Sequence, residues 1–550
     1  MGNNWNSSCK PVPGGRSRSD TRSGGDVDSP NCEVLEAHFA HPQPVCRDVI
    51  RVPDLLSFPL AHDATRAAVI GVDRTLSFAA VHARANQLVA VLQARGLRVG
   101  DRVALLARNE VEYFEIQIAA SRGGFVLVPI NFRLAPAEIA HILNDSQPGV
   151  LIHGPGFEVG IEAWIPMLAL GGTYDEALSA EAAADVLPLP VDAGAACVIL
   201  YTSGTTGRPK GAVLTNHALL ARINANLFDY EVNTSDTFLQ CLPMFHIASM
   251  VSYSYLAAGG TNVLLKDFSV EAVLDLIARH QVTAALMVPT MINTLVNSSL
   301  VDEADHASLR TLIYGASPIP PVVLARAIEK LSCRFYQAFG MTETSAVTLL
   351  RPTDHDPVRQ PGLLASAGTP AMGMVMRLVD DRDEDVQVGE TGEVICQGPA
   401  VMEGYWRNPE ATAEAMRGGW MHTGDLGYRD VSGYLFVTDR KKDMIISGGE
   451  NVYPREVEDV LFEHADILEA AVIGVPDERW GERVHAVIVA KPGALPELQE
   501  VLQFVRSRLA GYKAPKSAEL VDALPKNATG KVLKTELRKR FWDGQTRNVN

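Results

Sequence analysis

Apolar residues recur at helical spacing over residues 78–92, where Phe78, Val81, Ala85, Leu88, Val89 and Leu92 fall on one face. Ser77 stands where a side-chain oxygen can accept from first-turn amides, and Gly96 where a left-handed residue can end the helix. Residues 102–106 then read as a strand, 109–121 as a second helix, Gly123-Gly124 as a break and 125–130 as a strongly apolar strand. Strand, helix and strand in that order make a βαβ unit. The same texture returns at 283–288 and 309–314, each behind a helical pattern, which predicts parallel or mixed sheets covered by helices.

After Gly368 the pattern changes. Short alternating runs at 376–379 and 392–397, separated by Gly and charged turns, predict a small antiparallel or barrel-like unit. Beyond Asp439 a charged turn leads to a helix at 454–463, strands at 469–474 and 485–491, and a helix at 497–509. The expected class is therefore α/β. A large N-terminal domain (48–439) of helix-covered β-sheets carries a small β-barrel-like subdomain, and a small α+β C-terminal domain (440–550) follows. Residues 1–47 are rich in Gly, Ser, Pro and Asn, cannot offset their ordering entropy, and are expected to be a disordered extension.

Charge narrows the partners. Lys and Arg total 49 against 65 Asp and Glu, a net charge of −16, which argues against broad nucleic-acid binding. A polyanion would need a local basic patch, and one candidate is Lys513, Lys516, Lys526, Lys531, Lys534, Arg538, Lys539 and Arg540, most of which read as a solvated terminal helix and loop. The 7 cysteines are scattered and never spaced as CxxC, so neither a disulfide framework nor a zinc site is indicated, and a cytoplasmic location is expected. No apolar run approaches the length of a membrane span, and none near the N-terminus resembles a signal peptide.

The densest chemistry lies at Tyr201-Thr-Ser-Gly-Thr-Thr-Gly-Arg-Pro-Lys210, between two apolar runs. Its glycines let backbone N–H groups turn inward, and its hydroxyls can donate to phosphate oxygens. It is not a Walker A loop, because no Gly-Lys-Ser/Thr opens a helix here. The string resembles the phosphate-binding segment of the adenylate-forming superfamily, which includes acyl-CoA synthetases, nonribosomal adenylation domains and luciferases. Further matches follow in the family's order: Tyr314-Gly-Ala-Ser317, Tyr336-Gln-Ala-Phe-Gly-Met-Thr-Glu343, Thr423-Gly-Asp425, the run from Asp439 through Arg440 to Pro454, and Pro525-Lys-Asn-Ala-Thr-Gly-Lys531.

The resemblance implies roles for individual residues. Thr202, Ser203, Gly204, Thr205, Thr206, Gly207 and Lys210 would surround the triphosphate, with Gly315, Ala316, Ser317, Phe339, Gly340 and Thr342 around the nucleoside. Phe339 stands where the family more often has Tyr, which keeps stacking and loses a hydroxyl. Glu343 would hold Mg²⁺ against the phosphates, since that hard cation prefers oxygen ligands. Asp425 would grip the ribose with help from Arg440, and Lys531 would be the catalytic lysine, bridging two anionic reactants. Lys442 occupies the hinge about which the family's mobile C-terminal domain turns, and Gly448 and Gly449 would line the coenzyme A channel.

His246 resembles the histidine that closes the acyl pocket, followed by Ile247, Ala248 and Ser249. No carboxylate stands there to hold a substrate ammonium, which argues against an amino-acid substrate. Ala248 is small where coumarate-type ligases resemble one another in having a bulky aromatic. The resemblance implies an acid–thiol ligase of the AMP-forming kind, an acyl-CoA synthetase using a carboxylic acid, ATP, Mg²⁺ and coenzyme A, with a medium- or long-chain fatty acid as expected substrate. The alternatives are an aryl acid–CoA ligase, an acyl-AMP ligase delivering to a carrier protein, or an oxidative luciferase-like enzyme. A homodimer is compatible with the sequence.

Overall fold

The computed structural model describes residues 55–157, 165–181, 192–202, 209–440, 443–447, 450–477, 479–527 and 530–542. The extension expected at 1–47 lies outside them.

Two mixed sheets dominate. A nine-stranded sheet has the order Thr369–Pro370, Ser345–Leu350, Arg334–Met341, Thr311–Gly315, Ala284–Met287, Thr237–Gln240, Thr261–Leu264, Ala67–Ile70, Thr75–Ser77. From Arg334–Met341 to Ala67–Ile70 its pairings are parallel, and antiparallel strands close both edges. A seven-stranded sheet runs Gly404–Tyr405, Lys210–Thr215, Ala196–Thr202, Val126–Pro129, Arg102–Leu106, Val150–His153, Met167–Ala169, antiparallel only at its Gly404 end.

Neighbouring residues of one strand enter different cores, which explains why these strands are apolar throughout rather than alternating. Phe238 joins a core shared with the seven-stranded sheet, whereas Leu239 joins one closed by the helices Val270–His280, Pro289–Asn297 and Pro321–Leu331. The helix Phe78–Ala94 forms as its spacing predicts: Ser77 Oγ accepts from the Ala80 amide at 3.1 Å, and Gly96 follows at φ +88°.

The second predicted helix begins later than expected. It spans Glu112–Gly123, with Gly124 as its left-handed cap at φ +67°. Asn109 is excluded because its side chain is engaged elsewhere, as described below. After Gly368 a four-stranded antiparallel sheet forms from Val375–Val379, Gly392–Gln397, Met421–Arg429 and Leu435–Arg440. The final segment is a five-stranded sheet in which Ile467–Asp477 and Gly481–Ala490 pair over most of their length. Helices Pro454–Phe462 and Leu498–Arg506 pack on one face and Lys534–Lys539 on the other.

Candidate active site

Several motif residues lie on strands of the two large sheets or just beyond their ends. Ala196–Thr202 and Lys210–Thr215 form a hairpin in which Thr202 faces Lys210 and its hydroxyl donates to the Lys210 carbonyl at 3.4 Å. Ser203, Gly204, Thr205, Thr206 and Gly207, between these strands in sequence, lie outside the described residues. The Lys210 ammonium stands 5.3 Å from the centre of the Tyr405 ring.

Across the nine-stranded sheet, Gly315 lies opposite Ala338, and a Cβ at Gly315 would come within 2.3 Å of the Ala338 carbonyl oxygen. The next residue, Ala316, is held at φ +69°, a left-handed conformation that is costly for a residue with a Cβ. Ser317 beside it is half-buried. Phe339 and Gly340 follow Ala338, and Gly340 tolerates no side chain because its Cβ would sit 1.7 Å from the Ser345 carbonyl oxygen. Backbone of 315–317 and the half-buried Phe339 are thus brought side by side.

Thr342 and Glu343 lie in the turn that follows. Glu343 is only 4% exposed and accepts a hydrogen bond from the Tyr405 hydroxyl at 2.9 Å. Burial raises its carboxyl above the usual range, opposed by the Tyr405 hydroxyl and by the nearby Arg440 and Lys210 cations. A buried carboxylate that two cations and a phenol hold toward its charged form suits a hard cation shared with phosphate oxygens. Asp425, 5% exposed, meets Arg440 Nε at 2.6 Å. Glu343, Tyr405, Lys210, Arg440 and Asp425 therefore form one charged neighbourhood.

His246 precedes the short 3-10 turn Ile247–Ser249. Its Nε2 is inaccessible and has no hydrogen-bond partner among the described residues. Burial, helped by the Arg133 cation, lowers the imidazole to about 4, so the ring is neutral at physiological pH. Its backbone is held instead: the His246 amide donates to the Pro243 carbonyl, and Ser249 Oγ donates to the His246 carbonyl at 2.8 Å. Ile247 and Ala248 are half-buried against the main core, and Ser249 is buried.

Lys531 sits in a loop closed by its own backbone. Its amide donates to Asn527 Oδ1 at 2.9 Å, and the Asn527 amide donates to the Lys531 carbonyl at 2.8 Å. A Cβ on Gly530 would stand 2.8 Å from Thr290 Oγ1, so the loop rests on the start of helix Pro289–Asn297. That helix follows strand Ala284–Met287, the immediate neighbour of the strand ending at Gly315. Lys442, Gly448 and Gly449 lie outside the described residues.

The basic patch of the sequence is largely neutralised internally. Lys513 pairs with Glu456, Lys526 with Glu469, Arg538 with Asp443, Lys539 with Glu536 and Arg540 with Glu519. It therefore offers little free charge to a polyanion.

Two residues of the site escaped the sequence reading. Tyr405, in Gly404-Tyr405-Trp406, carries no chemistry as a bare aromatic, and only the short strand Gly404–Tyr405 beside Lys210–Thr215 aims it at Glu343. Asn109, 4% exposed, donates to the Leu242 and Leu265 carbonyls at 3.0 and 2.9 Å and accepts from the Met244 amide at 2.9 Å. It fixes the segment leading to His246, a role hidden in a position that reads as the first turn of a helix.

The chain resembles known proteins over most of its length. The family model described as AMP-binding enzyme matches residues 60–406, and that described as AMP-binding enzyme C-terminal domain matches 456–531. A feruloyl-CoA synthase from Amycolatopsis sp is 42% identical over 470 residues, covering 85% of this chain and 94% of that protein. The fatty acid–[acyl-carrier-protein] ligase ScoC of Streptomyces coeruleorubidus is 38% identical over 507 residues, covering 90% of this chain and 97% of that protein. The crystal structure of ATP-bound MatB from Rhodopseudomonas palustris superposes with a TM-score of 0.83 at 31% identity, covering 90% of this chain and 100% of that one. The chain belongs to the AMP-binding enzyme family of AMP-forming acid–thiol ligases.

Proposed function

We propose that the chain is an ATP-dependent acyl-CoA ligase acting on a medium- or long-chain fatty acid. The observation that carries the reading is the meeting of three parts: the Asp425–Arg440 pair, the buried Glu343 beside Lys210, and the Lys531 loop resting one strand away from Gly315.

In the first step a carboxylate oxygen attacks the α-phosphorus of ATP, and the bond to pyrophosphate breaks, leaving acyl-AMP. Both reactants are anionic, so the Lys531 ammonium serves by bridging them as charge accumulates. Lys210 and the residues from Thr202 to Gly207 hold the phosphates, Phe339 stacks on the base, and Asp425 accepts from the ribose hydroxyls while Arg440 steadies it. Glu343 is the residue that would hold Mg²⁺, which when bound neutralises phosphate charge. In the second step the thiolate of coenzyme A attacks the acyl carbon and expels AMP, after the C-terminal domain, taken as residues 440–550, turns about Lys442. His246, neutral and with its Nε2 lacking a hydrogen-bond partner among the described residues, closes the acyl pocket, and Asn109 fixes the backbone before it.

A second reading, transfer to a carrier protein, is favoured by the similarity to ScoC. An aryl acid is favoured by the similarity to a feruloyl-CoA synthase. A panel of acids assayed for pyrophosphate release, with and without coenzyme A, decides among them. Acid-dependent release with a CoA thioester as product is the expected result. Release that never yields a thioester would overturn the CoA assignment.

A further inference from the structure

Lys534 starts the terminal helix Lys534–Lys539, just beyond the loop that carries Lys531. The base of that loop is tied by the Leu533 amide, which donates to the Pro525 carbonyl at 2.8 Å. The Lys534 side chain is 15% exposed, and its Nζ lies 2.9 Å from Glu458 Oε1 and 3.9 Å from Asp439 Oδ2. Two carboxylates thus share one ammonium, and they sit on opposite sides of the proposed hinge at Lys442.

The topology makes these two contacts unequal. Glu458 belongs to helix Pro454–Phe462, in the same body as Lys534, whereas Asp439 belongs to strand Leu435–Arg440 of the four-stranded sheet. Turning about residue 442 carries Lys534 and Glu458 together and leaves Asp439 behind. The nearby Arg538–Asp443 pair, 2.8 Å apart, also lies wholly beyond the hinge and would survive the turn. Asp439, by contrast, receives both Lys534 and the Arg455 amide, the latter donating to its Oδ2 at 3.2 Å. Arg455 spans the same boundary again, donating to the Val437 carbonyl at 2.9 Å and the Ala365 carbonyl at 3.3 Å.

Asp439 also reaches the nucleotide side of the site. Its Oδ1 accepts from the Arg440 amide at 2.7 Å, and the Arg440 side chain meets Asp425. A run of contacts therefore joins the base of the Lys531 loop, through Lys534 and Asp439, to the carboxylate proposed to grip the ribose. The Asp439 side chain is only 7% exposed, and the Lys534 ammonium and the Arg440 and Arg455 amides face it. Two of those donors, Lys534 and the Arg455 amide, come from beyond the proposed hinge, so a turn about it would break the clasp.

We infer that Lys534 is a positioning residue that clasps the Lys531 loop to Asp439 across the hinge and so holds the adenylating pose. The inference rests on the ligase reading above. Its consequence is a split between the two half-reactions, which a merely structural lysine would not produce.

The test uses the full-length protein with two assays: acid-dependent exchange between ATP and pyrophosphate, and thioester formation from supplied acyl-AMP and coenzyme A. Lys534→Met is expected to slow exchange by about tenfold or more while thioester formation keeps its rate or rises. Lys534→Arg is expected to recover most of the exchange, because the charge and its two partners remain. Asp439→Asn should slow exchange as well and add little on top of Lys534→Met, since both remove one contact. An equal fall in both half-reactions, or full additivity of the two substitutions, overturns the clasp. If Lys534→Met fails to fold, Asp439→Asn carries the test alone, because there Lys534 retains Glu458. A parent protein that exchanges pyrophosphate with no acid counts against the ligase reading instead, so the two failures are distinguishable.

Discussion

Asp425 and Arg440 stand directly opposite one another on adjacent antiparallel strands, with the carboxylate Oδ1 2.6 Å from the guanidinium Nε. The opposition is set by the register of the strands Met421–Arg429 and Leu435–Arg440, which a bulge after Leu426 shifts by one residue. Strand pairing, rather than proximity in sequence, orients the proposed ribose grip. Arg440→Lys keeps the charge and loses the planar fork, so KM for ATP should rise about tenfold, with KM for the acid nearly unchanged. Steady-state titration of each substrate checks this. Equal rises in both KM values would place Arg440 outside the nucleotide site.

Glu343→Gln keeps the volume and the Tyr405 contact but removes the charge that faces Lys210 and Arg440. The variant should need more Mg²⁺ for half-maximal adenylation and show a lower maximal rate, by about tenfold or more. Overlaid Mg²⁺ titrations of variant and parent would remove Glu343 from the metal role.

Lys531→Ala should abolish pyrophosphate exchange and largely spare thioester formation from supplied acyl-AMP, because the ammonium is needed where two anions meet. Lys442→Pro should do the converse, since a fixed φ and a lost N–H obstruct a turn without touching the phosphate hairpin. Near-normal exchange in the first variant, or matched losses in the second, would contradict these assignments.

The chain's local periodicities were sufficient to place most elements, because helix and strand spacing and the Ser77 cap act within a few residues. The motif residues were legible one by one for the same reason: each sits in a short string. What could not be read was how strings separated by scores of residues face one another. Asn109 reads as helix, yet it spends its amide on Leu242, Leu265 and Met244, and the helix starts at Glu112. Tyr405 meets Glu343 only because Gly404–Tyr405 adds to the edge of the seven-stranded sheet. The basic C-terminal residues looked free because their acidic partners, such as Glu456, Glu469 and Asp443, come from other elements.

His355 gives a pH prediction whose sign can be worked out. The ring is buried, shares Nε2 with the Tyr314 hydroxyl at 3.0 Å, and lies 2.8 Å by Nδ1 from the Arg351 carbonyl. Burial lowers it to about 4 from an ordinary value of 6.5, despite the Arg351 carbonyl and Asp354, which favour the charged form. Unfolding therefore takes up a proton between those values. The stability it contributes is fully present above pH 6.5 and lost as pH falls toward 4, up to about 3 kcal/mol. In His355→Gln that dependence should vanish, so the stability gap between parent and variant should narrow by up to one proton's slope across the window. Denaturant unfolding at several pH values measures it, and parallel curves would show that the ring is not held neutral.

The substrate prediction turns on Ala248, which lies in the 3-10 turn after His246 and packs half-buried against the main core. A methyl side chain there fills little space, and the neighbouring Ser249, Met250 and Val251 are buried and carry no charge. An acyl chain passing this wall would bury its methylenes at roughly 0.8 kcal/mol each, so each added carbon should raise kcat/KM by about fourfold until the pocket ends. Ala248→Trp would occupy that path. The optimum should move to shorter acids while KM for ATP stays near that of the parent, because the Glu343 and Asp425 neighbourhood is untouched. The measurement is kcat/KM across acids of increasing length for both proteins. A parent preference for benzoate- or cinnamate-type acids, or an unchanged length profile in the Trp variant, would show that Ala248 does not border the acyl path.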